Sequence, residues 1–122
     1  MAISFGSNRP WGAVSQTTYR QMARDPRHQR VYRIHFAALG WANQLGHSDF
    51  KGERLAHILV DENGAIPSAP NVSKALREAK ALGLIRQDSK AACLVLPSHM
   101  FQKASVGGRT CSAHGITGRT AA

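Results

Sequence analysis

IPSAPNVSKALREAKALGLIRQ, residues 66–87, decides how the rest of this chain is read. Val72, Leu76, Ala79 and Leu82 recur at the spacing of one helical face, which predicts a helix buried along that stripe. Ser68 suits the N-cap and Pro70 fits the first turn, where its missing N–H costs nothing. Gly83 suits the stop, with Leu84 or Ile85 folding back on the last turn. The outward side then presents Asn71, Ser73, Lys74 and Arg77, with Glu78 and Lys80 further round. One reading is a plain solvated face, since Lys74 and Glu78 stand four residues apart and pair in water. The other is a DNA-reading face. Asn pairs in bidentate fashion with adenine and Arg or Lys with guanine, while Ser68 and the free first-turn N–H groups suit a phosphate.

The neighbourhood discriminates between these. Residues 27–46 carry Val31, Ile34, Ala38, Trp41, Ala42 and Leu45 at helical spacing, with Arg27, Arg30 and Arg33 opposite. Gly40 inside this helix is unfavourable by roughly 1 kcal/mol relative to Ala and marks close packing. Residues 49–60 read as a shorter helix on Phe50, Leu55, Ile58 and Leu59, and DENG at 61–64 is a turn. After Gly83, residues 84–87 and 91–97 read as two strands around Asp88-Ser89-Lys90. Helix, helix, turn, helix, hairpin is the order of a helix-turn-helix followed by a wing, in which the second helix enters the major groove. The expected fold is therefore mainly α with a small β-hairpin, a winged helix-turn-helix of the α+β class. An irregular arm is expected over 1–16, the winged-helix domain over 17–99 and a flexible basic tail over 100–122. Within the domain, 17–24 reads as a short helix ended by Asp25-Pro26. The expected DNA-facing residues are Ser68, Asn71, Ser73, Lys74 and Arg77 on the helix, Arg86 and Lys90 on the wing, and Arg30 and Arg33 on the 27–46 helix.

Charge agrees with a polyanionic partner. Sixteen Lys and Arg face seven Asp and Glu, a net charge of +9 in 122 residues, and the excess lies in both flanks as well as the centre. Nothing approaches the roughly 20 apolar residues that span a bilayer, and the first residues lack the pattern of a secretory signal. A cytoplasmic, nucleoid-associated bacterial protein with no membrane contact is the expectation.

NVSKALREAKALGLI followed by a hairpin resembles the recognition helix and wing of winged-helix proteins. FAALGWANQLGHSDFKGERLAHIL and CLVLPSH, taken with it, are similar to small helix-turn-helix proteins of actinobacterial phages and mobile elements; the resemblance covers about residues 30–99. It implies a regulator of transcription, or of replication or maintenance of such an element. It carries over DNA-facing positions for Ser68, Asn71, Lys74 and Arg77, with Arg86 and Lys90 on the wing.

Further readings stand beside this one; a winged helix that takes RNA ranks lowest, because the chain lacks the interleaved aromatics that stack single-stranded bases. A small protein of this type can instead bind a host protein such as a polymerase or replication factor, with Phe5, Trp11, Met100 and Phe101 as candidate contacts. A homodimer through the 27–46 helix is also compatible with the pattern. No cofactor is favoured, and the cysteines are read first as thiols, Cys93 as a buried small hydrophobe in its strand. Cys93, His99, Cys111 and His114 nonetheless form the donor set of a tetrahedral Zn2+ site, with Cys-x-x-His at 111–114. His35 and His57 read as packed histidines, His28 and His47 as surface ones. No phosphate loop, HExxH or Gly-x-Ser-x-Gly is present, so no enzyme is expected.

Overall fold

A computed structural model describes residues 3–51, 54–103, 111 and 113–115. It is an α+β arrangement of α1 (Gln16–Ala23), α2 (Arg30–Trp41), β1 (His47–Asp49), α3 (Arg54–Ile58), α4 (Ala69–Ala81) and β2 (Cys93–Val95). β1 and β2 pair antiparallel, with His47 opposite Val95, Ser48 opposite Leu94 and Asp49 opposite Cys93.

α1 begins where the Ser15 hydroxyl accepts from the Thr18 N–H, and its axis lies against α2. The contact is close because Gly40 has no side chain. A Cβ there would stand 2.9 Å from the Arg20 backbone nitrogen and 2.8 Å from its Cγ. Arg20 Nε in turn donates to the Gly40 carbonyl at 2.7 Å. Gly40→Ala improves intrinsic helix propensity, yet it must push α1 outward. The expected net result is a loss of about 1–3 kcal/mol, the range for overpacking, read as a lower urea midpoint at unchanged slope. An unchanged midpoint would show that α1 yields without cost.

The sequence pattern runs one helix through 27–46, but α2 stops at Trp41. Asn43 ends it. Its side-chain oxygen accepts from the N–H groups of Leu45 and His47 at 2.9 and 3.1 Å, an alternative to helical hydrogen bonding. The chain turns and becomes β1, so the helix expected over 49–60 shortens to α3.

α4 matches its expected start. Ser68 accepts from the Asn71 N–H, and Pro70 lies in the first turn. Gly83 takes φ +74° at the stop, Leu84 N–H reaches back to the Ala79 carbonyl, and Ile85 is fully buried. The buried stripe is Val72, Ala75, Leu76 and Ala79, while Leu82 is 58% exposed. At about 100° per residue, position 82 lies roughly 70° from the centre of that stripe, and it falls on the cap, where the helix leaves the core.

The hairpin is smaller than the sequence suggests. Arg86 N–H donates to the Val95 carbonyl at 2.8 Å, and Lys90 and Cys93 exchange both backbone bonds across the turn. Val95 N–H, which a full partner strand would take, goes to the Ser89 hydroxyl at 2.9 Å. Residues 84–87 therefore form no regular strand.

Alternation divides the sheet into two faces. Ser48, Phe50, Leu94 and Leu96 face the helices. Ser48 Oγ donates to the Ala38 carbonyl, and Phe50, Leu94 and Leu96 join Ile34, Leu55, Leu59, Leu76 and Ile85 in the main core. Cys93 and Val95 face the other way and pack with Cys111 and Ala113. The apolar run at 93–96 is thus covered by helices on one side and by a C-terminal segment on the other. Of the expected tail, Met100 and Phe101 pack on the main core, Cys111 is buried, and 104–110, 112 and 116–122 lie outside the described residues.

Candidate nucleic-acid interface and metal centre

Asn71, Ser73, Lys74 and Arg77 are all exposed along one side of α4. Ser68 is exposed too, with its hydroxyl already engaged in the cap. Among the described residues neither Lys74 nor Arg77 joins an ion pair, so the Lys74–Glu78 pairing that the spacing allows is not formed. Arg30 stands half-buried at the start of α2, lining one concavity with Gln29, Asn71, Lys74 and Glu78. Its Nε is buried and has no hydrogen-bond partner among the described residues.

Arg86 and Lys90 are exposed on the turn. Arg86 pairs with Asp88 at 3.0 Å, and Lys90 Nζ donates to the Ala113 carbonyl at 3.3 Å. Gln87 Nε2 donates to the Lys80 carbonyl at 3.2 Å, so the turn hangs from the C-terminal end of α4.

Arg33, expected on the DNA-facing side, is instead 2% exposed. Its Nε donates to the Ala23 carbonyl at 2.8 Å, one terminal nitrogen to Val60 at 2.8 Å and the other to Ile58 at 2.9 Å. It joins the ends of α1 and α3 to α2, and burial together with Arg30 nearby lowers its pKa. Arg27, on the same expected face, closes a salt bridge with Asp25 at 2.7 Å, which holds that carboxyl well below its usual range.

The histidines also redistribute. His35 is half-buried with Nδ1 3.1 Å from the Leu84 carbonyl, and burial lowers its pKa. His28 packs edge-on against Phe36 at 5.2 Å. His57, expected to be packed, is exposed, because α3 is one and a half turns long and turns that position outward. His47, expected at the surface, is buried on the outer face of the sheet.

There it meets Cys93, Cys111 and His114. The four donor atoms all lie within 4.8 Å of one another, a group that could hold a metal ion. Cys93 Sγ is 3.6 Å from His47 Nδ1 and 3.1 Å from Cys111 Sγ, and Cys111 Sγ is 3.1 Å from His114 Nδ1. Both cysteines are free thiols. His114 Nε2 lies 2.8 Å from the Asp88 carbonyl, which can only accept. That nitrogen therefore donates to it, and in a neutral imidazole this leaves the lone pair on Nδ1, facing the cluster. Burial pushes the Cys93 thiol up, the Cys111 thiol adds to this, and a Ser48 backbone hydrogen bond opposes it. Burial and then His114 push His47 down.

Spacing along the chain proposes His99 as the fourth donor. The structure leaves His99 exposed beside Phe5, Arg9 and Met100, away from the other three. His47 was hidden by the helical reading of its surroundings. The signal lay in alternation: in HSDF, His and Asp share one face and Ser and Phe the other, and only pairing with β2 brings His47 beside Cys93.

Fold and site together define a small, strongly basic α+β protein with a Cys2His2 cluster on the outer face of its sheet. No family model matches the chain, and comparison with curated proteins and with solved structures gives no significant match. Among the described residues no helix is long and apolar enough to cross a membrane.

Proposed function

We propose that this chain is a winged-helix protein that binds double-stranded DNA through α4, as a regulator of transcription or of replication or maintenance of a phage or mobile element. The observation that carries this reading is the outer side of α4. Asn71, Lys74 and Arg77 stand exposed on one helix face, with Arg30 beside its first turn. These are the side chains that read adenine and guanine edges in the major groove. Support also comes from the order α2, β1, α3, α4, turn, β2, with β1 against β2, which is how a recognition helix and a reduced wing would be carried. The wing here is a tight turn, and Arg86 is partly neutralised by Asp88. Sequence discrimination therefore falls on α4, and the turn supplies phosphate contact through Lys90. The role is binding, not catalysis.

Selection of bound DNA from a random pool tests this. An enriched motif is expected. On that motif Lys74→Ala and Arg77→Ala should each weaken binding about tenfold or more, the 1–3 kcal/mol of a base contact. Binding to random DNA should fall less. Equal losses on both would reduce α4 to a phosphate contact, and no enrichment would remove the specific-DNA reading.

One observation favours the alternative, an interaction module for a host protein. Phe5, Trp11, Met100 and Phe101 line one mostly apolar cavity of about 480 Å³, and Trp11 is 57% exposed. Capture of one host protein after nuclease treatment, with no DNA retained at moderate salt, would favour it.

For the four-residue cluster the ion we propose is Zn2+. Two thiolates and two imidazoles form the donor set that closes a tetrahedral structural zinc site.

A further inference from the structure

Resting on that zinc reading, we propose that the centre is a staple. His47 and Cys93 hold it from the two strands, Cys111 and His114 close it from the C-terminal segment, and the metal fixes the 88–90 turn from beneath. The inference goes beyond metal binding, because it assigns the fourth ligand to His47 rather than His99 and gives the centre a mechanical task.

The geometry fits a closed site. For Zn–S of about 2.3 Å and Zn–N of about 2.0–2.1 Å, tetrahedral edges are roughly 3.8 Å between sulfurs and 3.6 Å between sulfur and nitrogen. Three of the six donor pairs stand at 3.1 Å between sulfurs and 3.1 and 3.6 Å between sulfur and nitrogen, and the others lie within 4.8 Å, so the four donors are already close to the edges of a tetrahedral site. A disulfide needs about 2.05 Å between sulfurs and a defined torsion, and both thiols are free. Three of the four donors are buried, which leaves no wide open position for a substrate.

Loading balances simply. Zn2+ displaces the two thiol protons, binds two thiolates and two neutral imidazoles, and leaves a site of zero net charge with two protons released. Burial of such a neutral centre avoids the cost of an isolated buried charge. His114 is oriented for this by its Nε2 bond to the Asp88 carbonyl, the outer hydrogen bond that fixes a ligating imidazole.

That same bond transmits the staple. Asp88 and Lys90 are the two ends of the turn, and both touch the segment that the metal holds, through His114 and through the Ala113 carbonyl. On the opposite side the turn hangs from α4 through Gln87. With metal bound, the turn is clamped between α4 and the centre. Without it, Cys111 and Ala113 keep a small apolar contact with Cys93 and Val95, and the turn loses its floor.

The test uses the full chain purified under reducing conditions. One equivalent of zinc is expected by elemental analysis. Replacement with Co2+ should give the intense visible bands of a tetrahedral ion and a near-ultraviolet thiolate-to-cobalt band. Cys111→Ser and His47→Asn should lose them, and His99→Asn should keep them. Hydrogen exchange is then compared with and without a chelator. Exchange at 86–95 should become about tenfold faster or more on metal removal, while α1 and α2 are unchanged. No bound metal in wild type, or a Cys93–Cys111 disulfide in its place, overturns the zinc reading and the staple together. A normal cobalt spectrum in His47→Asn, or loss of it in His99→Asn, overturns the ligand assignment. Metal that binds with the expected ligands while exchange at 86–95 stays constant overturns the staple alone.

Discussion

Arg33→Met is expected to lower the unfolding free energy by about 3 kcal/mol or more, without a specific effect on DNA. The substitution keeps the apolar stem and removes every donor. Three carbonyls, of Ala23, Ile58 and Val60, then lose their partner, and two of these contacts are buried. Each buried acceptor left unpaired costs roughly 1–3 kcal/mol. Part is recovered, because the guanidinium no longer has to be held out of water. The lost bonds outweigh that gain, since the carbonyls sit at the ends of α1 and α3, where helix acceptors have no internal partner. For a domain whose whole stability is about 5–15 kcal/mol, the loss should show as a large drop in the urea midpoint. Arg30→Met is the matched comparison: its Nε makes no hydrogen bond among the described residues, so little stability should be lost. A variant as stable as wild type at position 33 would show that the three carbonyls are satisfied by water instead.

Zinc is expected to raise the melting temperature by more than about 10 °C over protein held in chelator, and this is the second large effect. An ion that binds the folded chain stabilises it by RT ln(1 + [L]/Kd), about 4 kcal/mol at a thousandfold excess over Kd. At the entropy of unfolding of a domain this size, that is a shift of more than about 10 °C. Binding by thiols of the unfolded chain reduces the gain, so dilute zinc and a moderate excess are the informative conditions. Calorimetry in zinc and in chelator reads the difference directly. His99→Asn should show the wild-type shift, and His47→Asn should show little. Equal melting temperatures in zinc and in chelator would mean that folding and metal are not linked.

These two expectations concern residues that sequence alone places differently. Periodicity counts Arg33 with Arg30 on an outer face, because both stand away from the Val31 and Ile34 stripe. Packing reverses this. α1 and α3 close over that side of α2 and present their carbonyl ends to it, and an arginine is long enough to reach three of them. No local pattern could announce it, since the acceptors come from 10 to 27 residues away. Gly40 differs. A glycine inside a strongly periodic helix already signals close approach, and Arg20 is what approaches.

What the sequence determined by itself was local: the caps of α4 and its stripe at Val72, Leu76 and Ala79, its Gly83 stop, the DENG turn, the basic balance and the exposed side of Asn71, Lys74 and Arg77. These depend on neighbours within about four residues, and helical and turn periodicities report such contacts. Tertiary structure decided what long-range pairing decides. Asn43 cut the helix expected over 27–46, the released residues became β1, and β1 found its partner 46 residues later. That pairing turned His47 and Cys93 to one face and brought Cys111 and His114 over it. Sidedness in a strand exists only once the strand is paired, because its period of two has no meaning until one face is covered. The four residues that could hold a metal were therefore visible as residue types in the chain, but their membership in one site was written in the register of the sheet.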